Sequence, residues 1–435
     1  MQKYKYSIIL KILLLAISFS IQAQGVKELN VEGVRVYFKP SSKKVINARL
    51  FFVGGTANYA KEKEGIESMA LNMVANAGTT EKDKVAFNTA AEQIGAEIGS
   101  SSTYDYSTLH LNCLKMYWED SWSLFAEAIR KPAFDEEEFM LTKERFVNNA
   151  RQHETNPDNH LRDIAMSNVF SGMDYAKRPG GSEANLANLQ LVEVKNHYGN
   201  ILQKNNVFLV VAGDLTEEDL RHKVAGLFDG IPTGEKKNMP EFQINIDENP
   251  FLEEKDLATN YLRGIMAAPK MNEREGLAMQ LAMSILNDRF FLELRTKRSL
   301  SYAPAAFYSS GVIQSPYNVL YISTEKPKES MEVMVETIEE VRKNGFTEKE
   351  LKDVKQVFIT QHYLGLETNS SQTMALGLAI LADNMEIQEN FTEIVQKVDL
   401  EFLNQTFRQY TDKIDWTYLG KREMVSMSDF VQPES

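Results

Sequence analysis

The stretch Gly65-Ile-Glu-Ser-Met-Ala-Leu-Asn-Met73 decides how the first part of this 435-residue chain folds. Apolar residues recur there three and four positions apart, and the pattern continues beyond it: Ile66, Met69, Ala70, Met73, Val74 and Ala77. This spacing predicts one apolar stripe on an amphipathic helix. Ser68 and Asn72 lie four residues apart on the face beside that stripe, with Leu71 between them on the helical surface.

The positions of Ser68, Leu71 and Asn72 fit the frame of the inverted zinc motif His-x-x-Glu-His. In that motif the two histidines ligate zinc and the glutamate serves as general base. Serine and asparagine are not zinc ligands of the usual set, and a leucine cannot activate a water molecule. The sequence therefore predicts the helix of a zinc site without the chemistry of one.

Length and composition indicate a globular protein of two domains. The chain is 43% hydrophobic and 25% charged, with a net charge of −13 at pH 7. This acidic balance makes nucleic acid and anionic membrane surfaces unfavourable partners. Cys113 is the only cysteine, so no internal disulfide can form, and its apolar, strand-like surroundings predict a buried side chain.

Residues 1–23 are typical of a secretory signal peptide. Lys3 and Lys5 precede an apolar run over residues 8–21, and Ala23 stands at a plausible cleavage point. The run is short for a membrane span. We therefore expect a periplasmic protein that is not inserted in the membrane after the signal is removed, and in which the large core makes disulfides unnecessary.

The second half of the chain repeats the first. Residues 128–139 match residues 340–351 at a constant offset of 212, and Thr347 and Glu350 reproduce Asp135 and Glu138 as a predicted helix cap and its capping partner. Two copies of one α+β unit is the simplest interpretation. We expect an N-terminal domain over residues 24–232, a linker over 233–247 and a C-terminal domain over 248–435.

The chain resembles the pitrilysin/insulinase family of zinc peptidases, in the two-domain form of the processing-peptidase subunits. The resemblance covers nearly the whole mature chain and rests on the zinc-helix frame, on residues 95–106, 144–147 and 156–158, and above all on Arg289-Phe-Phe-Leu-Glu-Leu-Arg-Thr-Lys-Arg-Ser-Leu-Ser-Tyr302. It implies an α+β fold of two homologous domains. Each would be a mostly antiparallel sheet with helices packed on it, and together they would form half of a clam-shell chamber.

Carried over position by position, the resemblance places the two zinc histidines of the family on Ser68 and Asn72 and its general base on Leu71. Its third ligand, a glutamate, falls on Asn148 or Asn149. All of these positions hold residues that do not ligate zinc. The resemblance therefore implies no cofactor in this chain.

The resemblance also implies a role for Arg295 and Tyr302. In the family an arginine and a tyrosine seven residues apart reach from the C-terminal half towards the substrate. An arginine can hold a peptide carbonyl or carboxylate, and a phenol can donate to a developing oxyanion. Arg298 is a nearby competitor for the arginine position. The alternative is structural: Arg295 would close a helix and Tyr302 would pack at the start of the next strand.

Loss of the zinc groups beside a retained Arg295 and Tyr302 predicts a zinc-free subunit of an exported heterodimeric metallopeptidase, not catalytic alone. A homologous partner would supply zinc, and peptide substrate would pair with a sheet edge near residues 98–104. Two alternatives remain: a non-enzymatic peptide-binding or scaffold protein, and an active peptidase with an unrecognised metal site. Against the latter, none of the histidines is paired three or four residues away with another histidine, a cysteine or a zinc-helix glutamate: His110, His153, His160, His197, His222 and His362.

Overall fold

The chain forms two β-sheets, each packed with helices. The structure is a computed structural model that describes residues 25–237, 244, 246–309 and 313–430. The predicted signal peptide, residues 1–23, lies outside the described residues, as does part of the predicted linker, residues 233–247. Within the described ranges, no helix combines the length and the apolar character needed to cross a membrane.

The first half of the chain alternates strands and helices around one sheet. Its strands are β1 (Lys27–Val31), β2 (Val34–Pro40), β3 (Val45–Val53), β4 (Glu97–Ser102), β5 (Tyr106–Leu114) and β6 (Val207–Gly213). Its helices are α1 (Ile66–Asn76), α2 (Lys84–Gln93), α3 (Trp118–Arg130), α4 (Glu136–Thr155), α5 (Pro157–Val169), α6 (Glu183–Asn188), α7 (Leu191–Ile201) and α8 (Glu217–Phe228). The helix predicted from the opening stretch is α1, and its whole apolar stripe is buried.

The strand order of the first sheet is β1-β2-β6-β3-β5-β4. Strands β2 and β6 are parallel, and the other neighbours are antiparallel. Every residue of β6 is buried, which explains its continuous apolar sequence, because both faces of this central strand are covered. Strand β4 lies at the edge of the sheet, where its side chains are mostly half-buried or exposed.

The second half is built around the other sheet. Its strands are β7 (Phe251–Glu254), β8 (Asn260–Ala267), β9 (Ala305–Tyr308), β10 (Tyr317–Thr324) and β11 (Asp415–Gly420). Its helices are α9 (Arg274–Phe290), α10 (Pro327–Asn344), α11 (Glu348–Gly365), α12 (Asn369–Leu381), α13 (Glu386–Lys397) and α14 (Leu400–Tyr410). Helix α9 runs directly into a π-helical segment, Phe291–Lys297.

The two sheets share one topology. The order β7-β11-β8-β10-β9 reproduces β2-β6-β3-β5-β4, and in each sheet the first pair in that order is parallel. Strand β1 has no counterpart in the second sheet as described. The predicted α+β class, with two homologous units of mostly antiparallel sheet and packed helices, is confirmed.

Helix capping follows the repeat only in part. Thr347 and Glu350 form the complete capping box, in which each side chain bonds the backbone N–H of the other residue. Asp135 also caps its helix, accepting a hydrogen bond from the Glu138 N–H at 3.0 Å. The prediction that Glu138 acts as its capping partner needs correction, because its carboxylate binds Lys84 at 2.7 Å instead.

Helix α12 of the second half packs on the first sheet, against β3 and β6. Gly377 lies against the ring of Phe51, where an added Cβ would come within 2.0 Å of a ring carbon. Only glycine permits this approach. Arg49 donates a hydrogen bond to Ser370 at 3.2 Å. The two halves therefore share buried surface beyond the chain that links them.

Candidate functional site

The start of helix α1 is fixed by close packing around Gly65. This residue has a φ of +84°, and an added Cβ would lie 2.6 Å from the side chain of Leu186 and 2.9 Å from the Cα of Gly181. A residue with a side chain would meet both the left-handed backbone and these contacts. The helix then packs against β4 and α7, which sets one of its faces towards the edge of the sheet.

Ser68 and Asn72 line a cavity of about 280 Å³ between α1, β4 and α4. Its other lining residues are Ser100, Ser101, Ser102, Phe146, Asn149, Ala150, His153, Arg178, Gly180 and Gly181. We call this space the α1 cavity. Of the two asparagines predicted at the third ligand position, Asn149 lines the cavity, whereas Asn148 is not in its lining and accepts a hydrogen bond from Arg151 at 3.4 Å.

The polar groups at the former ligand positions are bonded within the protein. Ser68 donates to the carbonyl of Pro179 at 2.8 Å, and the Asn72 carbonyl accepts from Arg145 at 2.6 Å. Leu71, at the general-base position, does not line the cavity; it is 0% exposed and belongs to the hydrophobic core. It therefore packs below the helix and does not lie on the surface between Ser68 and Asn72.

The donor set of the α1 cavity does not fit zinc. It consists of hydroxyls, amides and one imidazole, that of His153, which is hydrogen-bonded to Asp163 at 2.9 Å. Across the part of the chain that the structure describes, no group of three or more His, Cys, Asp or Glu side chains is placed to hold a metal ion. Zinc prefers four such ligands in a structural site and three in a catalytic one.

Three histidines of the described chain bind a carboxylate, and for two of them the carboxylate comes from a distant part of the sequence. Besides His153, His160 bonds Glu253 at 2.7 Å and His197 bonds Glu67 at 3.1 Å. These partners lie 93 and 130 residues away. Inspection of short spacings could not reveal them.

Glu67, beside Ser68, is a structural residue that the sequence analysis missed. It is 1% exposed and accepts hydrogen bonds from Ser107 at 2.6 Å, Asn58 at 2.9 Å and His197 at 3.1 Å. A buried carboxylate needs such donors, because desolvation without them is costly. The only sequence signal was a charged residue at the start of an apolar helix, and its partners are far away in the sequence. These bonds tie α1 to the fold without a metal.

Arg178 lines the α1 cavity and also two larger cavities beside it. One of these, of about 590 Å³, lies towards β7, and the other, of about 540 Å³, lies between the two halves. The Arg178 guanidinium bonds Glu154 at 2.7 Å and pairs with Asp163 at 3.1 Å. Arg178 therefore lies where three polar cavities adjoin, and two of them, the α1 cavity and that of about 540 Å³, border the end of strand β4; we call these two the polar recess.

Arg295 and Tyr302 lie together on the second half. The guanidinium carbon of Arg295 is 4.2 Å from the centre of the Tyr302 ring and 4.6 Å from that of Phe291, a stacked cation–π arrangement. Tyr302 is 80% exposed, so it does not pack at the start of the next strand as the structural alternative requires. Arg298 instead pairs with Glu293.

The structure does not bring this pair to the α1 cavity. Neither Arg295 nor Tyr302 lines that cavity or its two neighbours. Among the described residues, Arg295 forms no ion pair, so its donors face no competing carboxylate. Arg295 and Tyr302 thus contact each other but do not lie in the cavity that Ser68 and Asn72 line.

Two repeated α+β units, the first with a motif helix that carries no zinc ligands, define a peptidase-like fold. A model of the insulinase peptidases, family M16, matches residues 35–178, and a model of the M16 inactive domain matches residues 188–358. These matches follow one another and span most of the chain. The chain belongs to the insulinase family, M16, as a member that lacks the zinc motif.

Relatives and solved structures agree with this assignment. The non-peptidase homolog YmxG of Helicobacter pylori is 21% identical, over 93% of this chain and 96% of the relative. The crystal structure of a peptidase M16 inactive domain from Pseudomonas fluorescens has a TM-score of 0.82 at 20% identity, over 91% of this chain and 98% of that chain. The periplasmic protease PqqL from Escherichia coli has a TM-score of 0.77 at 13% identity, but this chain covers only 49% of it.

Proposed function

We propose that this protein is the zinc-free subunit of an exported heterodimeric zinc metallopeptidase. It supplies Arg295 and Tyr302 to the active site of a homologous zinc-bearing partner, and it holds peptide substrate along the edge of strand β4. Zinc and the general base come from the partner. Export follows from the predicted signal peptide, which makes the periplasm the proposed location.

One observation carries the proposal: the two sites differ in how their polar groups are used. At the α1 cavity, Ser68 and Asn72 are bonded to Pro179 and Arg145, and the general-base position is a core leucine. Arg295, in contrast, stacks beside an exposed phenol and meets no carboxylate among the described residues. A half-buried guanidinium beside an exposed phenol, with no carboxylate partner in the described chain, suits a ligand outside it.

The length comparison with PqqL supports pairing of two such chains. The chain aligns with about half of that periplasmic protease, and it covers 96% of the separately solved first half. A single polypeptide of that fold therefore contains one unit of this size and as much again. Two separate chains are a direct way to assemble the same amount of structure.

The test is reconstitution with a homologue from the same organism that carries His-x-x-Glu-His. The mixture should cleave an unfolded peptide faster than the homologue alone, and a chelator should abolish cleavage. Arg295→Ala and Tyr302→Phe should each lower the rate. Arg298→Ala is the matched control, because that arginine already pairs with Glu293 and its loss should leave the rate near that of the wild type. An unchanged rate on mixing would refute the proposal.

A second candidate is a peptide-binding protein of the same fold without a peptidase partner. The edge strand favours it: β4 pairs only with β5 in the described sheet, and it borders the polar recess. A free strand edge can bind an extended peptide through its backbone alone. Co-purification separates the candidates, since only the first requires a zinc-motif homologue in the complex.

A further inference from the structure

The cavity of about 540 Å³ between the two halves has an uneven distribution of charge. We call it the inter-half cavity. Three arginines line it, Arg162, Arg178 and Arg263, against one carboxylate, Asp163. That carboxylate is already bound by Arg178 at 3.1 Å and by His153 at 2.9 Å. Two guanidinium groups therefore remain without a carboxylate partner in the cavity.

Arg263 is the less expected of the two. It stands on the buried strand β8, is only 8% exposed, and its Nε has no hydrogen-bond partner among the described residues. Burial lowers the pKa of Arg263, the Tyr317 phenol that is hydrogen-bonded to the guanidinium raises it, and the nearby positive charge of Arg162 lowers it. A guanidinium remains charged at neutral pH even so, and a buried charge that no carboxylate neutralises is costly.

Arg162 adds a second positive group from the other half. It stands on helix α5 and is exposed, and within the described ranges its guanidinium donates a hydrogen bond only to the side-chain carbonyl of Asn159, at 3.4 Å. In the described part of the chain, neither Arg162 nor Arg263 forms an ion pair with a carboxylate. The cavity thus presents guanidinium donors from both halves of the molecule, and one of them is buried.

The residues around these arginines indicate the chemical class of ligand that the cavity could bind. Carboxylates are held well by guanidinium groups, which donate in a planar fork. Ser102, Thr103 and Tyr104, which end and follow β4, form one wall, so the cavity begins where the sheet edge stops. Phe307, partly exposed on β9, offers apolar contact to the stem of a side chain. The net charge of −13 disfavours a polyanion such as nucleic acid.

We propose that the inter-half cavity binds a carboxylate of an extended peptide through Arg263 and Arg162. The carboxylate belongs either to an acidic side chain or to the C-terminus of the peptide. This inference rests on the proposed function in one respect, that peptide lies along β4. It adds a substrate class: peptides that place a negative charge just beyond the end of that strand.

The experiment measures peptide binding to the isolated full chain by fluorescence anisotropy. The probe is a decapeptide of alanine and serine with one central glutamate, N-terminally labelled with a neutral fluorophore and amidated at its C-terminus. A neutral twin carries glutamine in place of glutamate. A second twin carries the same glutamine and a free C-terminal carboxylate. We expect the glutamate or the free-acid peptide to bind about tenfold tighter than the neutral twin, and the difference to shrink at high salt.

Variants assign the preference to the two arginines. Arg263→Gln should remove it and Arg162→Gln should reduce it several-fold. Arg162 is exposed on a helix, so its variant tests the proposal even if the Arg263 variant fails to fold. Arg221→Gln, at an exposed ion pair on helix α8, is the matched control and should keep the preference.

Equal binding of charged and neutral peptides, no binding of any peptide, or a preference that survives in both variants would overturn the proposal. Comparison of the glutamate peptide with the free C-terminal acid tells which carboxylate is bound, and a preference for either supports it. The reconstitution assay fails separately: a chain that prefers acidic peptides but does not activate a zinc homologue would refute the proposed function and leave this inference standing.

Discussion

The α1 cavity and the Arg295–Tyr302 pair are two regions at which a peptidase of this family places its chemistry, and they differ in how completely the chain satisfies them. In the first, hydroxyl and amide groups bond within the protein and a leucine fills the core. In the second, a half-buried arginine stacks on an exposed phenol. We propose on this basis that the first region is structural and that the second binds a ligand outside the chain.

This contrast has a physical basis. A zinc ligand that loses its metal leaves an unsatisfied polar group, which costs free energy unless the protein provides a partner. Ser68 and Asn72 both have such partners, and the adjacent Glu67 is held by three donors. Exposed side chains such as Tyr302 have water as a partner, so stability places no such demand on them.

The largest expected effect comes from restoring the general base. In Leu71→Glu a carboxylate would enter the core at a position that is 0% exposed and near no described partner of opposite charge. We expect a loss of about 3–5 kcal/mol in the free energy of unfolding at pH 7, measured by urea denaturation, and a smaller loss at pH 4. Leu71→Met, which conserves volume, is the control and should cost less than about 1.5 kcal/mol. A stable Leu71→Glu protein would contradict the assignment of Leu71 to the closed core.

The second effect concerns what holds α1 in place of metal. Glu67→Ala removes the carboxylate that accepts hydrogen bonds from Ser107, Asn58 and His197, and within the described chain Asn58 alone keeps a further acceptor, the Val53 carbonyl at 3.1 Å. We expect a loss of about 3 kcal/mol of stability, since the removal of one partner strands several buried donors. Ser107→Ala removes a single bond and should cost about 1 kcal/mol. Equal effects from the two variants would contradict the assignment of Glu67 as the centre of this network.

A third effect tests the connection between the two halves. The buried Asp105 of the first half accepts hydrogen bonds from the Tyr175 phenol and, at 2.6 Å, from the backbone N–H of Ile313 in the second half. Burial raises the pKa of Asp105 from 3.8 to about 6. The folded state then binds a proton more tightly than the unfolded state, so this contribution to stability is complete below pH 4 and is lost as the pH rises through 6.

The measurement is the free energy of unfolding from pH 4 to pH 7. Asp105 should contribute a decline of about 2–3 kcal/mol over that range, which Asp105→Asn removes. The exposed Asp353→Asn should follow the wild-type curve. If the Asp105 variant and the wild type differ by the same amount at every pH, the carboxylate does not titrate in this range.

Much of the fold follows from short-range patterns in the sequence. Helix α1 was visible in the spacing of Met69, Ala70 and Met73, and the repeat was visible in the match around Asp135 and Thr347. Such patterns depend on neighbours three or four residues apart, which the sequence displays directly. The same spacing placed Ser68 and Asn72 four residues apart on one helix, but their match to zinc ligands came from the resemblance to the family and not from the spacing.

What the sequence did not reveal depends on contacts between distant residues. The bonds of Glu67 to Ser107 and His197 span 40 and 130 residues, and the approach of Gly377 to Phe51 joins the two halves. The interior position of Leu71 was also missed, because an apolar stripe was drawn narrower than the face that the fold buries. Only packing decides how wide that face is.

The smallest effect on stability, and the one that most sharpens the contrast, is expected at Tyr302. Tyr302→Ala removes an exposed cation–π contact with Arg295, worth about 0.5–1 kcal/mol. Arg295→Ala, which also removes the cation–π contact with the Phe291 ring, should change the free energy of unfolding in urea by a similar amount. Both should nevertheless lower peptide cleavage by the reconstituted complex. Residues that matter to activity and little to folding are what a binding site requires, whereas a stability loss of 3 kcal/mol here would place the pair in the framework of the second half.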